Sequence, residues 1–140
     1  MKNLLDLTGK KALVTGGSRG IGHRLAQALH DAGAEVVFFY NSTCPDGLAE
    51  QMQGNGPAVH AVRCNVADRK ALEHGVTAAA DLLGGRIDIL INAAGINRRY
   101  WLEDFPTEEW DAVINTNLNA AVYCTQLVGK YMLAQQYGKV

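Results

Sequence analysis

Eight residues, Thr15-Gly16-Gly17-Ser18-Arg19-Gly20-Ile21-Gly22, have the types and spacing to hold an anion. An apolar run, Ala12-Leu13-Val14, precedes them, and an amphipathic stretch follows. The spacing predicts a strand that delivers the chain to a tight turn. A helix then starts with its free N–H groups and positive dipole end facing that turn. A pyrophosphate is the natural occupant of such a place. Glycines admit positive φ there and let a ligand approach the backbone without a Cβ in the way. A glycine-rich turn with no ligand is the alternative, and the strand–turn–helix context favours the phosphate cradle.

The elements that must position this loop alternate between strand and helix. Lys11–Thr15 reads as the first strand. A helix is expected over Ile21–Ala32, with Ile21, Leu25, Ala28 and Leu29 on its inner face and Gly33 at its C-terminal cap. Glu35–Tyr40 is a continuous apolar strand, as expected for one buried on both faces. A turn-rich segment, Asn41–Gly47, leads to a short helix near Leu48–Gln53. Ala58–Cys64 reads as the third strand. Asp68–Leu83 reads as a long helix N-capped by Asp68 and closed by Gly84-Gly85. Ile87–Asn92 is the fourth strand. A final helix is expected over Thr107–Gln136, opened by Pro106-Thr107-Glu108-Glu109 with acids in its first turn. Val113, Ile114, Leu118, Ala121 and Val122 form its expected buried stripe. Asn117 falls on the same side, either as a satisfied core amide or as a functional one.

Strands separated by helices of this length imply right-handed βαβ crossovers and a parallel sheet. The expected architecture is α/β, a Rossmann-type three-layer sandwich with strand order 3-2-1-4. Residues 1–140 read as a single nucleotide-binding domain.

Composition narrows the function classes. The 140 residues are 48% hydrophobic and 19% charged, with a formal net charge of −1. No basic run marks a nucleic-acid footprint, and no stretch approaches the roughly 18 apolar residues that span a bilayer. Met1–Leu7 is too short and too acidic for a signal peptide. Cys44, Cys64 and Cys124 are odd in number and far apart, which fits a reducing cytoplasm rather than a disulfide framework. His23, His30, His60 and His74 have no metal-ligand spacing and read as surface or helix-face residues, so no metal is expected.

The G-x-x-x-G-x-G spacing, with Thr15 in front and Ile21 between the last glycines, resembles the short-chain dehydrogenase/reductase family. Further segments carry the same resemblance. Cys64-Asn65-Val66-Ala67-Asp68 looks like the family's adenine-side segment, with Asn65 and Val66 beside the base. Asn65 also reads as a strand-ending turn residue. Asn92-Ala93-Ala94-Gly95 is similar to the family's N-N-A-G, with Ala93 replacing the second Asn; small residues there leave room for a ribose. Asn115-Thr116-Asn117-Leu118 looks like the N-x-N-L pattern, whose Asn holds a proton-relay water, so the resemblance favours a functional Asn117. Tyr137-Gly138-Lys139-Val140 looks like the lead-in to a fifth strand.

The resemblance implies an NAD(P)-dependent oxidoreductase interconverting a secondary alcohol and a ketone, assembled as a homo-oligomer. Its proton chemistry would rest on a Ser and a Tyr-x-x-x-Lys after the fifth strand. Tyr40, Tyr100, Tyr123 and Tyr131 have Cys44, Asp104, Leu127 and Gln135 four residues on, and serines occur only at 18 and 42. The 140 residues are therefore expected to be inactive alone, matching the first half of a family member. A strand-four edge left bare over Ile87–Ile91 is also expected. A non-catalytic dinucleotide-binding module and an acyl-chain ketoreductase are the alternatives.

An NAD-selective site needs an acid at the end of the second strand. Tyr40 stands there, followed by Asn41-Ser42-Thr43, while Arg19 could meet a 2′-phosphate. NADP is the expected cofactor, with NAD also possible in principle and Arg19 alternatively a solvated loop side chain. Ala94-Gly95-Ile96-Asn97-Arg98-Arg99 is similar to dehydrogenases of gluconate or deoxygluconate. The paired arginines could grip a substrate carboxylate, or be a solvated or oligomer-contact pair.

Overall fold

A computed structural model describes residues 5–140; the first four residues of the segment read for leader character lie outside the described residues. Among the described residues, four parallel strands form one sheet in the order β3-β2-β1-β4. They are β1 (Lys11–Thr15), β2 (Glu35–Tyr40), β3 (Val59–Arg63) and β4 (Ile89–Asn92). The helices are α1 (Gly20–Asp31), α2 (Leu48–Gln53), α3 (Arg69–Leu82), α4 (Thr107–Ile114) and α5 (Ala120–Ala134). The expected strand order and most element bounds hold. Between α4 and α5 the expected continuous helix is interrupted by a π turn, Asn115–Asn119.

Alternate side chains of each strand point to opposite faces, and the core divides accordingly. Leu13, Val37 and Phe39 pack with Leu72, Val76, Cys124 and Val128 from α3 and α5. Ala12, Val14, Val36 and Phe38 pack with Ala26 and Met52 from α1 and α2. Helices on both faces are why Glu35–Tyr40 reads as an unbroken apolar run: Val36 to Phe39 are all 0% exposed.

Three expectations about faces are corrected. In α1 the buried residues are Gly22, Ala26 and His30, while Ile21 is 78% exposed and Leu25 and Ala28 also face outward. Small residues face the sheet because the helix start packs on the glycine loop: a Cβ on Gly22 would lie 2.1 Å from the Gly16 carbonyl oxygen. His30 is a core residue whose Nε2 lies 3.0 Å from the Pro57 carbonyl oxygen. In the last helix the buried stripe is Ala120, Cys124, Val128 and Met132, with Leu118 and Val122 exposed. A π turn adds a residue to one turn and so rotates everything after it about the helix axis. Asn117 is exposed rather than buried.

The edge of β4 is not bare either. Leu90 N–H donates to the Lys139 carbonyl (2.9 Å) and Lys139 N–H to the Asp88 carbonyl (2.9 Å), an isolated parallel bridge that sets Lys139 beside Ile89. Gln135 reinforces it by pairing its side-chain amide with both backbone groups of Ile87.

A candidate nucleotide cleft at the carboxyl ends of the strands

In a parallel sheet every strand's carboxyl end lies on one side, and a crevice opens where the strand order reverses. Here that point lies between β1 and β4. A cleft of about 630 Å³ occupies it. Its walls include Gly16, Ser18, Arg19, Gly20, Ile21 and Gly22 from the glycine loop, and Tyr40 and Asn41 after β2. Asn65 and Val66 come from the end of β3, and Ala93, Ala94 and Gly95 from the end of β4. These candidates, scattered over 80 residues of sequence, are thus brought to one crevice.

The glycines of the loop have different tasks. A Cβ on Gly16 would lie 2.8 Å from Ala94 Cα, and one on Gly17 would lie 2.4 Å from Phe38 Cβ. With Gly22 they let three pieces of backbone and core come together. Gly20 differs: its φ is +56° and nothing lies within 4 Å of where a Cβ would stand. This is the glycine that leaves open room in the cleft. The first turn of α1 has no side-chain cap and no acid, so its N–H groups remain available to an anion.

Thr15 and Asn92 lie beneath this cleft, lining a small void with Val66, Ala94 and Thr116. The Thr15 hydroxyl oxygen accepts from Ala93 N–H (3.1 Å) and Ala94 N–H (3.0 Å), tying the end of β1 to the turn after β4. Asn92 Nδ2 donates to Thr125 Oγ1 at 3.1 Å, anchoring the same turn to α5. Asn65 does double duty. Its Oδ1 accepts from Ala67 N–H at 3.1 Å, a local turn bond, while the residue also lines the cleft. Asp68 caps α3 by accepting from Ala71 N–H at 2.9 Å.

Asn117 does not line the cleft. Its side-chain amide pairs with Ile96: Ile96 N–H donates to Oδ1 (2.8 Å), and Nδ2 donates to the Ile96 carbonyl (2.9 Å). This clamp holds the start of the Ile96–Trp101 loop against the π turn. Arg98 lines the cleft, with its Nε 2.5 Å from Glu109 Oε2 at the start of α4. Arg99 is exposed, with no ion-pair partner among the described residues.

Sequence reasoning missed Phe39, Cys64, Ile96 and Thr116 as walls of the cleft. Phe39 and Cys64 carry no chemical signal, being buried core residues at the ends of β2 and β3. Burial pushes the Cys64 thiol up to about 11 and the Cys124 thiol up to about 12, so both are poor nucleophiles near neutral pH. No cluster of His, Cys, Asp and Glu that could hold a metal occurs among the described residues. No helix of the described residues is long and apolar enough to cross a membrane.

Residues 10–140 match the sequence profile of the family described as short chain dehydrogenase. The chain is 41% identical over 139 residues to gluconate 5-dehydrogenase of Gluconobacter oxydans, covering 99% of this chain and 54% of that protein. It is 40% identical over 136 residues to a 3-oxoacyl-[acyl-carrier-protein] reductase of Synechocystis, covering 96% of this chain and 55% of the relative. The crystal structure of a short chain dehydrogenase from Burkholderia cenocepacia in complex with NADP superposes with a TM-score of 0.85 at 35% identity. That superposition covers 89% of this chain and 51% of the other. The chain spans about half the length of the relatives it matches. With the glycine loop, the 3-2-1-4 sheet and a profile match over nearly its whole length, the chain belongs to the short chain dehydrogenase family.

Proposed function

We propose that this chain is the nucleotide-binding part of an NAD(P)-dependent oxidoreductase that interconverts a secondary alcohol and a ketone. NADP is the preferred cofactor and a sugar acid the substrate class. The observation that carries the reading is the composition of the cleft: a glycine loop, an uncapped helix start and two arginines, with no carboxylate among its lining residues. Such a lining favours an anion and suits a nucleotide carrying an additional phosphate.

The residues present fit that cofactor. Gly20 leaves space at the helix N-terminus for a pyrophosphate, and Ala93 to Gly95 present a turn without bulky side chains. Gly16 to Gly22 would hold the phosphates, Asn65 and Val66 the adenine, Tyr40, Asn41 and Arg19 the adenosine ribose and its substituent. Asn92 and Thr15 set the height of the turn on which the second ribose would lie. When bound, the cofactor supplies a hydride acceptor or donor, and the alcohol proton leaves separately. Asn117 is the chain's contribution to that proton path. Its side chain is spent on Ile96, so it would hold a water through its main-chain carbonyl, where a π turn disturbs the regular i→i−4 bonding.

Arg98 and Arg99 support the sugar-acid substrate class. Arg98 reaches the cleft with its Nε held by Glu109 and its Nη1 donating to the Asn97 carbonyl, so that Nη2 remains for a substrate carboxylate. The 3-oxoacyl reductase reading is the alternative, supported by an identity of 40% to such a reductase that nearly equals the 41% to the gluconate dehydrogenase. Exposed Leu118, Val122 and Leu133 support homo-oligomer formation, and three unpaired cysteines fit a reducing cytoplasm.

Titration of this chain with NADPH and NADH tests the cofactor reading. NADPH should bind at least about tenfold tighter, the worth of a single charge-assisted contact, and Tyr40→Asp should narrow the gap. NADH binding more tightly than NADPH in the unmodified chain would overturn it. In a full-length protein carrying these residues, Arg98→Ala should reduce turnover of sugar acids more than of neutral ketones. Equal losses on both would remove the carboxylate assignment.

A further inference from the structure

The rim of the cleft at the end of β2 holds a third arginine that lies outside its walls. Register places Arg63, the last residue of β3, opposite Tyr40, the last residue of β2. Its Nε donates to the Asn41 carbonyl oxygen at 3.1 Å. That bond draws the guanidinium across the backbone of the segment, Tyr40 to Thr43, that lines the cleft. On the other side, Ser18 Oγ donates to the Thr43 carbonyl at 2.9 Å and fastens the glycine loop to the same segment. Arg19 is the next residue of that loop and also lines the cleft. Arg19 and Arg63 therefore belong to elements fastened from either side to one short segment.

Arg63 is tethered without being ion-paired. Lys11, Arg86 and Arg98 each have a carboxylate partner, at Glu35, Asp88 and Glu109. Arg63 has none among the described residues, and its one bond is to a neutral carbonyl. A guanidinium so tethered keeps its two terminal amino groups for a ligand, and the tether has already restricted the side chain. Paired amino groups of this kind match the oxygens of a phosphate monoester.

Resting on the nucleotide reading of the cleft, we propose that Arg63 is a specificity-determining residue. With Arg19 it takes the 2′-phosphate on the adenosine ribose, and Asn41 orients it. Ser42, which lines the cleft, offers a hydroxyl to the same phosphate. Arg63 acts on the phosphate alone, so it should not touch a nucleotide that lacks one.

The test is calorimetric titration of the chain and of Arg63→Gln with NADP+ and with NAD+, each at low and at moderate salt. A thermal melt of each variant accompanies it. Arg63→Gln should weaken NADP+ about tenfold, the worth of one charge-assisted contact, and leave NAD+ within about twofold. The salt dependence of NADP+ binding should fall with it. Arg63→Lys, which keeps the charge without the Nε tether, should fall between the two. An unchanged NADP+ to NAD+ ratio overturns the proposal. So does an equal loss for both nucleotides, which would make Arg63 a support for the Asn41 backbone. If neither nucleotide binds the unmodified chain, the nucleotide reading itself fails, and this inference with it.

Discussion

Replacing Thr15 by Val removes an oxygen and keeps the shape, and it separates architecture from ligand contact at the base of the cleft. Thr15 is 3% exposed, and its hydroxyl oxygen accepts two backbone N–H groups, from Ala93 and Ala94. Valine leaves both donors without a partner. A buried donor so orphaned costs about 1–3 kcal/mol. Ala93 and Ala94 are only half-buried, so water relieves part of that cost, and the pair together should cost about 2 kcal/mol. For a chain of this length that lowers Tm by ~6 °C. Thr15→Ser keeps the acceptor and loses one methyl, so it should cost about 0.8 kcal/mol. Chemical and thermal denaturation give the ranking, and amide hydrogen exchange at Ala93 and Ala94 locates the effect. Exchange there should speed up in the Val variant and stay protected in the Ser variant. A Val variant as stable as the parent, or a Ser variant weaker than the Val variant, would refute the argument.

Other perturbations test neighbouring steps. Gly22→Ala drives a Cβ to 2.1 Å from the Gly16 carbonyl oxygen, whereas Gly20→Ala meets nothing within 4 Å and pays only for its φ of +56°. Overpacking of that severity costs about 3 kcal/mol, against about 1–2 kcal/mol for left-handed backbone strain. Gly22→Ala should therefore show the larger fall in Tm and Gly20→Ala the larger loss of nucleotide affinity per degree; the reverse order would contradict the division of labour among the glycines. Cys64 and Cys124 titrate near 11 and 12 when folded, above their ordinary value of 9.0. A raised folded value favours the protonated native state, so this stabilisation is complete below about pH 9 and is lost as pH rises toward 11 and 12. Denaturation midpoints should fall above pH 9 in the parent and fall less in Cys64→Ala/Cys124→Ala; equal falls would show that other groups control alkaline unfolding.

Apolar runs, turn residues and helix caps are local signals, and they made the order of strands and helices legible. Asp68 capping α3, Gly33 ending α1 and the acids opening α4 stand where the sequence places them. The glycine loop was legible for the same reason, since its motif lies within eight consecutive residues. Faces were less legible. Periodicity counts apolar residues on a regular helix, but α1 turns its smallest residues inward because its start must touch the glycine loop. Nothing in the Asn115–Asn119 pattern announced the π turn that rotated the stripe of α5 away from Leu118 and Val122.

Amino-acid order was sufficient for the family, the parallel sheet and the glycine loop, because each depends on residues close together in the chain. Tertiary structure decided which residues meet. Only the folded sheet shows that Thr15 supports the turn at Ala93, that Asn117 is engaged by Ile96, and that Arg63 comes to rest on Asn41. Those partners are 78, 21 and 22 residues apart. Hydrogen bonds across such separations are set by strand register and helix packing, which no local pattern encodes. The opening motif thus stands as one wall of a cleft whose other walls, and whose extra arginine, exist only once the strands are laid side by side.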